Sequence, residues 1–307
     1  MTKVLAAQLT GYGGIDQFAL DELDLPDPGP GQVRVRVAGA AINPVDIKLR
    51  KGYLQDWIPL DLPAVIGNDV SGVVDAVGDG VDALKVGDRV AGLCDPALFG
   101  AYAAATNVWA ATLVKVPEAL DLVDAAALPT GVLTGSQLVE RAIAPSPGDL
   151  IFVAGAGGST GRAAVLAALD AGARVIAGIR STSRASVADL PVEAVVDLEA
   201  DALPADVDAV ADTVGGTAAE RLFSCLRSGG KFVSIGVPAP TPPAGANIQF
   251  STYVVEFDGA RLSRFMDDMI AKNRTAPVAA RFQLRRVGEA HAFMEAGGIG
   301  GKVILTP

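Results

Sequence analysis

A glycine-rich turn between an apolar strand and an alanine-rich helix limits the folds open to this chain more than any other feature. The predicted strand Leu150–Ala154 leads directly into Gly155, and two further glycines follow at Gly158 and Gly161. Glycine at the first position permits a tight turn, at the second it lets the backbone approach a phosphate, and at the third it lets the helix pack on the strand. The turn therefore predicts a dinucleotide-binding α/β unit, and a purely structural turn is the alternative.

The helix after this turn is predicted to begin near Ser159. Its first N–H groups lack partners within the helix, and the positive end of the helix dipole lies there, so both favour a bound phosphate. We assign phosphate binding to the glycines and to the hydroxyl residues that open the helix, namely Gly155, Gly158, Ser159, Thr160 and Gly161.

From Leu120 onward, short apolar runs alternate with alanine-rich helical stretches, which is typical of a parallel α/β sheet. Six strands are predicted, which fit a doubly wound sheet. They are Leu150–Ala154, Arg174–Ile179, Ala194–Val196, Ala209–Asp212, Lys231–Ile235 and Tyr253–Val255.

The first third of the chain favours β structure instead. Val33, Val35 and Val37 alternate with arginines, which indicates a half-buried strand, and glycines separate further short strands. Such a pattern predicts a barrel-like or sandwich-like module.

The C-terminal tail is too short to bury a core of its own. It is predicted to contain a helix at 260–272, a strand at 281–284, a helix at 287–295 and a strand at 302–305. We therefore expect the tail to return to the N-terminal module. The predicted organisation is a β-rich domain of residues 1–120 and 259–307, with an α/β domain at 121–258 inserted.

The end of the second α/β strand indicates which dinucleotide is bound. NAD sites place an acidic residue there for the ribose 2′-hydroxyl, whereas arginine suits a 2′-phosphate. Here the sequence reads Arg180-Ser-Thr-Ser-Arg184, without a carboxylate. A charge-assisted hydrogen bond to phosphate contributes about 1.5–3 kcal/mol, so one arginine could set the preference. We predict NADPH, held by Arg180, Ser181, Thr182 and Arg184, and a solvated basic surface turn is the alternative.

Charge and cysteine usage exclude several classes of function. Lys and Arg number 25 against 35 Asp and Glu, and the net charge of −10 disfavours nucleic acid and anionic membranes. Cys94, Cys225 and the one histidine, His291, form neither a disulfide framework nor a metal-binding motif. No signal peptide or membrane-spanning stretch is evident. We expect a cytoplasmic protein that acts on a small molecule, without a nucleic-acid or membrane partner.

Further motifs extend over nearly the whole chain. Besides the glycine turn they are Ala40–Asp46 (AAINPVD), Pro63–Val74 (PAVIGNDVSGVV), Gly78–Val90, Leu128–Thr134, Asp212–Gly216, Gly229–Gly236 and Gly301–Leu305. With these motifs the chain resembles the zinc-independent medium-chain dehydrogenase/reductase family, and within it the zeta-crystallin-like quinone oxidoreductases and enone reductases. The resemblance implies a GroES-like catalytic domain built from both chain ends, a Rossmann domain between them, a cleft for nicotinamide and substrate, and a homodimer.

The positions of the zinc ligands differ from those of zinc-bearing relatives. Such relatives have a cysteine near Asn43 and a His-Glu pair after the glycine that corresponds to Gly67, whereas this chain has Asn68 and Asp69 after Gly67. Catalytic zinc needs three N, S or O ligands and an open position. No metal site is therefore predicted.

The resemblance also implies roles for single residues. Asn43 matches a substrate-side position, where its amide could donate to a carbonyl oxygen, or it caps the following turn. Lys48 could bind the nicotinamide ribose or an enolate oxygen, or be an ordinary surface lysine. Tyr53 lies one residue from a family tyrosine that lines the cleft. Thr134 matches a nicotinamide contact, with helix packing as the alternative, and Gly236 is assigned to cofactor binding.

The activity predicted from these residues is metal-free hydride transfer from NADPH to a quinone or an α,β-unsaturated ketone. A conjugated acceptor becomes a delocalised enolate or hydroquinone anion, which needs only hydrogen-bond donors. The alternatives are an enoyl-thioester reductase and an NADPH-binding protein with little turnover.

Overall fold

The chain forms two compact units. The computed structural model describes residues 1–94 and 99–307. Unit 1 comprises Met1–Thr130, Phe257–Gly297 and Lys302–Pro307, and unit 2 comprises Gly131–Glu256 and Gly298–Gly301.

The described residues form sixteen strands and six α-helices. The strands are β1 (Thr2–Leu9), β2 (Phe18–Leu25), β3 (Gln32–Ile42), β4 (Ala64–Val65), β5 (Asp69–Val77), β6 (Arg89–Leu93), β7 (Ala105–Trp109), β8 (Leu113–Lys115), β9 (Leu150–Ala154), β10 (Arg174–Ile179), β11 (Ala194–Asp197), β12 (Val207–Asp212), β13 (Leu226–Ser234), β14 (Gln249–Thr252), β15 (Val278–Gln283) and β16 (Lys302–Thr306). The helices are α1 (Pro44–Arg50), α2 (Pro129–Gln137), α3 (Ser159–Asp170), α4 (Gly216–Glu220), α5 (Gly259–Ala271) and α6 (Val287–Ala296).

The described residues of unit 1 form two sheets, and the larger one joins the two ends of the chain. Its strand order is β15-β16-β3-β5-β6-β8, and β7 also pairs with β3. Strand β3 is antiparallel to β16 and to β5, so that Ile42 lies opposite Val303 and Ala41 lies opposite Asp69. The predicted β-rich fold formed by both chain ends is confirmed, and β16 is brought beside the start of α1.

Unit 2 contains one parallel sheet. Its strand order is β11-β10-β9-β12-β13-β14, and each neighbouring pair is parallel. Strands β10 and β11 lie on one side of β9, and strands β12, β13 and β14 lie on the other side. This is the doubly wound order of a dinucleotide-binding sheet. The predicted Rossmann fold is confirmed, with the glycine turn following the central strand β9.

The prediction of a strand at Tyr253–Val255 was wrong by several residues. The last strand of the sheet is Gln249–Thr252, in register with Lys231–Ser234. Its Phe250 packs against the stacked rings of Phe223 and Phe232, whose centroids are 4.1 Å apart. Burial of this phenylalanine determines where the strand lies, whereas Val254 in the predicted segment is 83% exposed.

None of the helices in the described residues is both long enough and apolar enough to cross a membrane.

Candidate active site

The glycine turn after β9 leaves one stretch of backbone open to a ligand. Gly155 has a φ of +83°, which favours glycine, and a Cβ at Gly161 would lie 2.1 Å from the carbonyl oxygen of Gly155. Backbone conformation at Gly155 and close packing at Gly161 therefore exclude a side chain, whether or not a ligand is bound. A Cβ at Gly158 would instead meet only that same carbonyl oxygen, at 3.5 Å. The exposed backbone of Gly158 is the part of the turn that a phosphate group can approach.

Helix α3 starts at this open backbone. Gly158 is its N-cap residue, and the first turn contains no acidic side chain. Ser159 and Thr160 are partly exposed there. The unpaired N–H groups and the positive end of the dipole of this 12-residue helix therefore favour an anion at Gly158.

The segment after β10 lies against the glycine turn. Residues Ser181–Val187 form a 3₁₀ helix, and the Ser186 hydroxyl donates to the carbonyl oxygen of Gly157 at 3.1 Å. Buried Arg162 of α3 donates to the carbonyl oxygen of Ser186 at 2.8 Å and also forms an ion pair with Asp189. The two predicted parts of the cofactor site are thus brought together within unit 2.

Side chains predicted to bind a 2′-phosphate are exposed on this segment. They are Arg180, Ser181, Thr182 and Arg184. Sequence reasoning missed a nearby carboxylate, Asp197 at the end of β11. Its pKa is held below the usual value first by the backbone N–H of Glu199 and further by the Ser181 hydroxyl and the Arg184 charge. Asp197 therefore offsets part of the positive charge on one edge of this segment.

Thr134 and Gly236 lie elsewhere in unit 2. Thr134 is buried in α2, and its hydroxyl oxygen has no hydrogen-bond partner within the described part of the chain. Such an orphaned polar atom is costly unless a ligand or water binds it. Gly236 follows β13, and a Cβ there would lie 2.1 Å from the Cα of Gly215. Close backbone packing thus accounts for glycine at 236.

In unit 1, Asn43 lies in a buried polar cluster at the start of α1. Its backbone N–H donates to the carboxylate of Asp46 at 2.8 Å, which is one half of a capping box. Its side-chain amide donates to Asp69 at 3.1 Å and accepts a hydrogen bond from Lys302. Asn43 therefore both caps the helix and belongs to a charged network.

The same cluster continues into the interior of unit 1. The Tyr102 hydroxyl donates to Asp46 Oδ2 at 3.1 Å and lies 3.2 Å from Nε2 of His291. Burial, and after it the Asp69 charge, raises the pKa of Asp46 to about 7, although hydrogen bonds from Asn43 and Tyr102 and the Lys302 charge act to lower it. A side chain at Gly67 would collide with the Tyr102 ring at 2.3 Å. Gly67 is thus required for the tyrosine to reach this cluster.

Lys48 and Tyr53 follow Asn43 in and after α1. Partial burial lowers the pKa of Lys48. Tyr53 is 74% exposed, and its backbone N–H donates to the carbonyl oxygen of Lys48 at 2.9 Å. Both side chains therefore lie on the same short stretch of unit 1 as Asn43, but Tyr53 is directed to solvent.

Residues at the zinc-ligand positions of zinc-bearing relatives do not fit the metal. Asn43, Asp69 and Lys302 bond to one another there, and Lys302 is a cation. Across residues 1–94 and 99–307, no group of three or more His, Cys, Asp or Glu could hold a metal ion. A zinc site needs at least three such ligands, and the described residues do not supply them together.

Similarity to known proteins covers both units. Residues 29–118 match the family described as alcohol dehydrogenase GroES-like domain, and residues 185–305 match the family described as zinc-binding dehydrogenase. Over all of this chain and 80% of the relative, it is 31% identical to a 2-methylene-furan-3-one reductase of Solanum lycopersicum. It is also 31% identical to the chloroplastic NADPH-dependent alkenal/one oxidoreductase of Arabidopsis thaliana, over 96% of this chain and 78% of that protein.

A solved structure agrees with this similarity. The quinone oxidoreductase of Coxiella burnetii superposes with a TM-score of 0.88 at 25% identity, covering 100% of both chains.

Proposed function

The chain belongs to the medium-chain dehydrogenase/reductase family, with quinone and enone reductases among its relatives, and on this basis we propose that it transfers a hydride from NADPH to a quinone or an α,β-unsaturated ketone. The observation that carries the proposal is the similarity over essentially the whole chain to reductases named for a methylene-furanone and for alkenals and alkenones.

Unit 2 offers groups that fit NADPH. The open backbone at Gly158 and the start of α3 would hold the pyrophosphate, and Arg180 and Arg184 would bind the 2′-phosphate. The orphaned hydroxyl of Thr134 would bind a polar group of the nicotinamide end. When bound, NADPH supplies the hydride.

Unit 1 would stabilise the negative charge that appears on the acceptor. Hydride addition to the β-carbon of an enone moves the C=C electron pair toward the carbonyl oxygen, and the resulting enolate takes a proton from solvent at the α-carbon. We propose that the amide of Asn43 and the ammonium of Lys48 donate to that oxygen, with Tyr53 beside them. Donors placed in advance where charge develops lower the barrier without a metal.

The proposal extends to assembly and location. We propose a homodimer joined along β14, because this strand is an edge of the parallel sheet and Gln249, Ser251 and Thr252 on it are exposed. Sedimentation as a monomer at micromolar concentration would contradict the dimer. Cys94 and Cys225 are both buried and form no disulfide with each other, which favours a reducing, cytoplasmic environment.

NADPH oxidation with a panel of phenanthrenequinone, simple enones and an enoyl thioester tests the reaction. Turnover of the quinone or the enones is expected. Turnover of the thioester alone would indicate an enoyl-thioester reductase. Tight NADPH binding without turnover of any acceptor would indicate a binding protein instead.

Turnover of Asn43→Ala and Lys48→Ala tests the residue assignment separately. We expect a loss of about tenfold for each, the equivalent of about 1.4 kcal/mol in the barrier. Full activity in both variants would leave the reaction intact and refute the assignment.

A further inference from the structure

The amide of Asn43 is held in one orientation by two partners, one a hydrogen-bond donor and the other an acceptor. Lys302 can only donate hydrogen bonds, and it donates to Asn43 Oδ1. Ionised Asp69 can only accept, and it accepts from Asn43 Nδ2 at 3.1 Å. A rotated amide would set its NH₂ group against the ammonium and its oxygen against the carboxylate. The side-chain orientation, usually ambiguous for asparagine, is therefore fixed.

The strand register of unit 1 explains why these residues meet. Strand β3 runs between β16 and β5, and Asn43 is the residue that follows it. Lys302 begins β16 and Asp69 begins β5, so both flank the end of β3. The three side chains thus converge on one point from three neighbouring strands.

Asp69 is itself immobilised. Its Oδ1 accepts the backbone N–H of Thr130 at 3.0 Å and the Thr130 hydroxyl at 2.5 Å. Its Oδ2 lies 3.2 Å from the Lys302 ammonium in addition to the Asn43 contact. The carboxylate is fully buried, so these partners leave it no alternative position.

One hydrogen of the buried Asn43 amide has no hydrogen-bond partner in the described part of the chain. Nδ2 carries two hydrogens, and the only bond it makes in the described part of the chain is the one to Asp69. The Lys302 ammonium on Oδ1 withdraws electron density from the amide and strengthens its N–H groups as donors. A strengthened donor of fixed orientation is what an acceptor oxygen that gains charge requires.

We propose that Asp69 and Lys302 are positioning residues that hold and polarise the Asn43 amide, so that its second N–H binds the carbonyl oxygen of the acceptor. The inference rests on the proposed function, because it deepens the role proposed there for Asn43. Neither Asp69 nor Lys302 needs to touch the substrate or change protonation.

A double-mutant cycle tests the inference against a purely structural role. The variants are Asn43→Ala, Asp69→Asn and the two combined, with kcat and KM measured for an enone. We expect Asp69→Asn to lower kcat about tenfold, as Asn43→Ala does, and to change kcat less than about twofold when Asn43 is already alanine. Equal losses in both backgrounds would overturn the inference, because they would mean that Asp69 acts independently of Asn43.

Glu295→Gln is the matched control. Glu295 is the carboxylate partner of buried Arg50 in the same unit, and among the described residues it forms no hydrogen bond or ion pair with Asn43. Loss of the Glu295 charge should lower the unfolding temperature and leave kcat unchanged. If Asp69→Asn fails to fold, Lys302→Met replaces it in the same cycle, since that change also frees the amide to rotate. A loss of kcat in Glu295→Gln equal to that in the Asp69 or Lys302 variant would also overturn the inference.

The Asn43 side-chain amide provides a readout that does not depend on activity. In ¹⁵N-labelled protein its pair of amide signals, assigned by their absence in Asn43→Ala, should exchange slowly with solvent and shift on Asp69→Asn. Unchanged signals would count against positioning. Absence of NADPH oxidation by the wild type with every acceptor would instead refute the proposed function. An active wild type with a fully active Asn43→Ala would refute this inference and the role of Asn43, and would leave the proposed reaction intact.

Discussion

Nε2 of His291 lies 3.2 Å from the hydroxyl oxygen of Tyr102, and both side chains are fully buried. Burial, together with the nearby Arg50 charge, lowers the pKa of His291 to about 3. The histidine is therefore neutral at physiological pH. It continues, through Tyr102, the cluster that contains Asp46, whose pKa is shifted in the opposite direction.

These two shifts act on stability with opposite signs. His291 has a lower pKa when folded than its usual 6.5, so its contribution is complete above pH 6.5 and is lost as the pH falls toward 3. Asp46 has a folded pKa of about 7 against a usual 3.8, so its contribution is complete below 3.8 and is lost as the pH rises to about 7. Over much of the acidic range the two contributions offset each other.

The Asp46→Asn substitution should remove the Asp46 contribution to the pH dependence of stability. Asparagine mimics the protonated carboxyl and cannot ionise, so the variant should gain stability relative to wild type as the pH rises from 3.8 to about 7. The expected slope of the difference is about 1.4 kcal/mol per pH unit. Denaturant unfolding at a series of pH values measures it. A difference that does not vary with pH would contradict the assignment.

Gly158→Ala should separate cofactor binding from folding. Its Cβ has space within the fold, so the unfolding temperature should stay near that of wild type, whereas the methyl group would occupy the backbone face proposed for the pyrophosphate. We expect the NADPH dissociation constant to rise at least about tenfold, or 1.4 kcal/mol. Gly161→Ala is the contrasting variant, because its Cβ would lie 2.1 Å from a carbonyl oxygen and should destabilise the protein. Normal NADPH affinity in Gly158→Ala would place the pyrophosphate elsewhere.

Arg180→Glu should narrow the preference for NADPH over NADH. A carboxylate there would repel the 2′-phosphate and could accept from a 2′-hydroxyl. The matched control is Arg174→Gln, at the opposite end of the same strand, where the arginine pairs with Glu193. Calorimetric titration with both cofactors gives the ratio of affinities. Equal affinity of the wild type for NADPH and NADH would refute this assignment.

Chelation should leave activity unchanged. Asn43 and Asp69, at the relatives' zinc-ligand positions, bond to each other and to the cation Lys302. Turnover after prolonged dialysis against a strong chelator is the measurement. A loss of activity that added zinc restores would show that a metal takes part.

Local sequence signals predicted the fold and the position of the glycine turn between β9 and α3. The bounds of β9 and the start of α3 were correct, because a buried apolar strand followed by spaced glycines is a local pattern. The last strand of the sheet, Gln249–Thr252, was predicted at Tyr253–Val255 instead, because its position depends on how Phe250 packs against distant rings. Local sequence patterns do not predict the bounds of a strand where tertiary packing determines them.

The cluster around Asn43 could not have been predicted in the same way. Lys302 is separated from Asn43 by 259 positions, and only the pairing of β16 with β3 brings them together. The spacing of Asn43 and Asp46 was the one local signal present, since it fits a capping box at a helix start. Contacts between residues on different strands of a sheet produce no comparable pattern in a single sequence.

Direct hydride transfer from NADPH to a conjugated acceptor can be followed by isotope tracing. Wild-type enzyme would be given NADPH carrying deuterium at nicotinamide C4 together with methyl vinyl ketone, with the saturated ketone butanone as a parallel acceptor. We expect one NADPH to be consumed for each molecule of butanone formed from the enone, deuterium at the former β-carbon, and no reaction of butanone itself. Deuterium at the carbonyl carbon of an alcohol product, or faster reduction of butanone than of the enone, would contradict it.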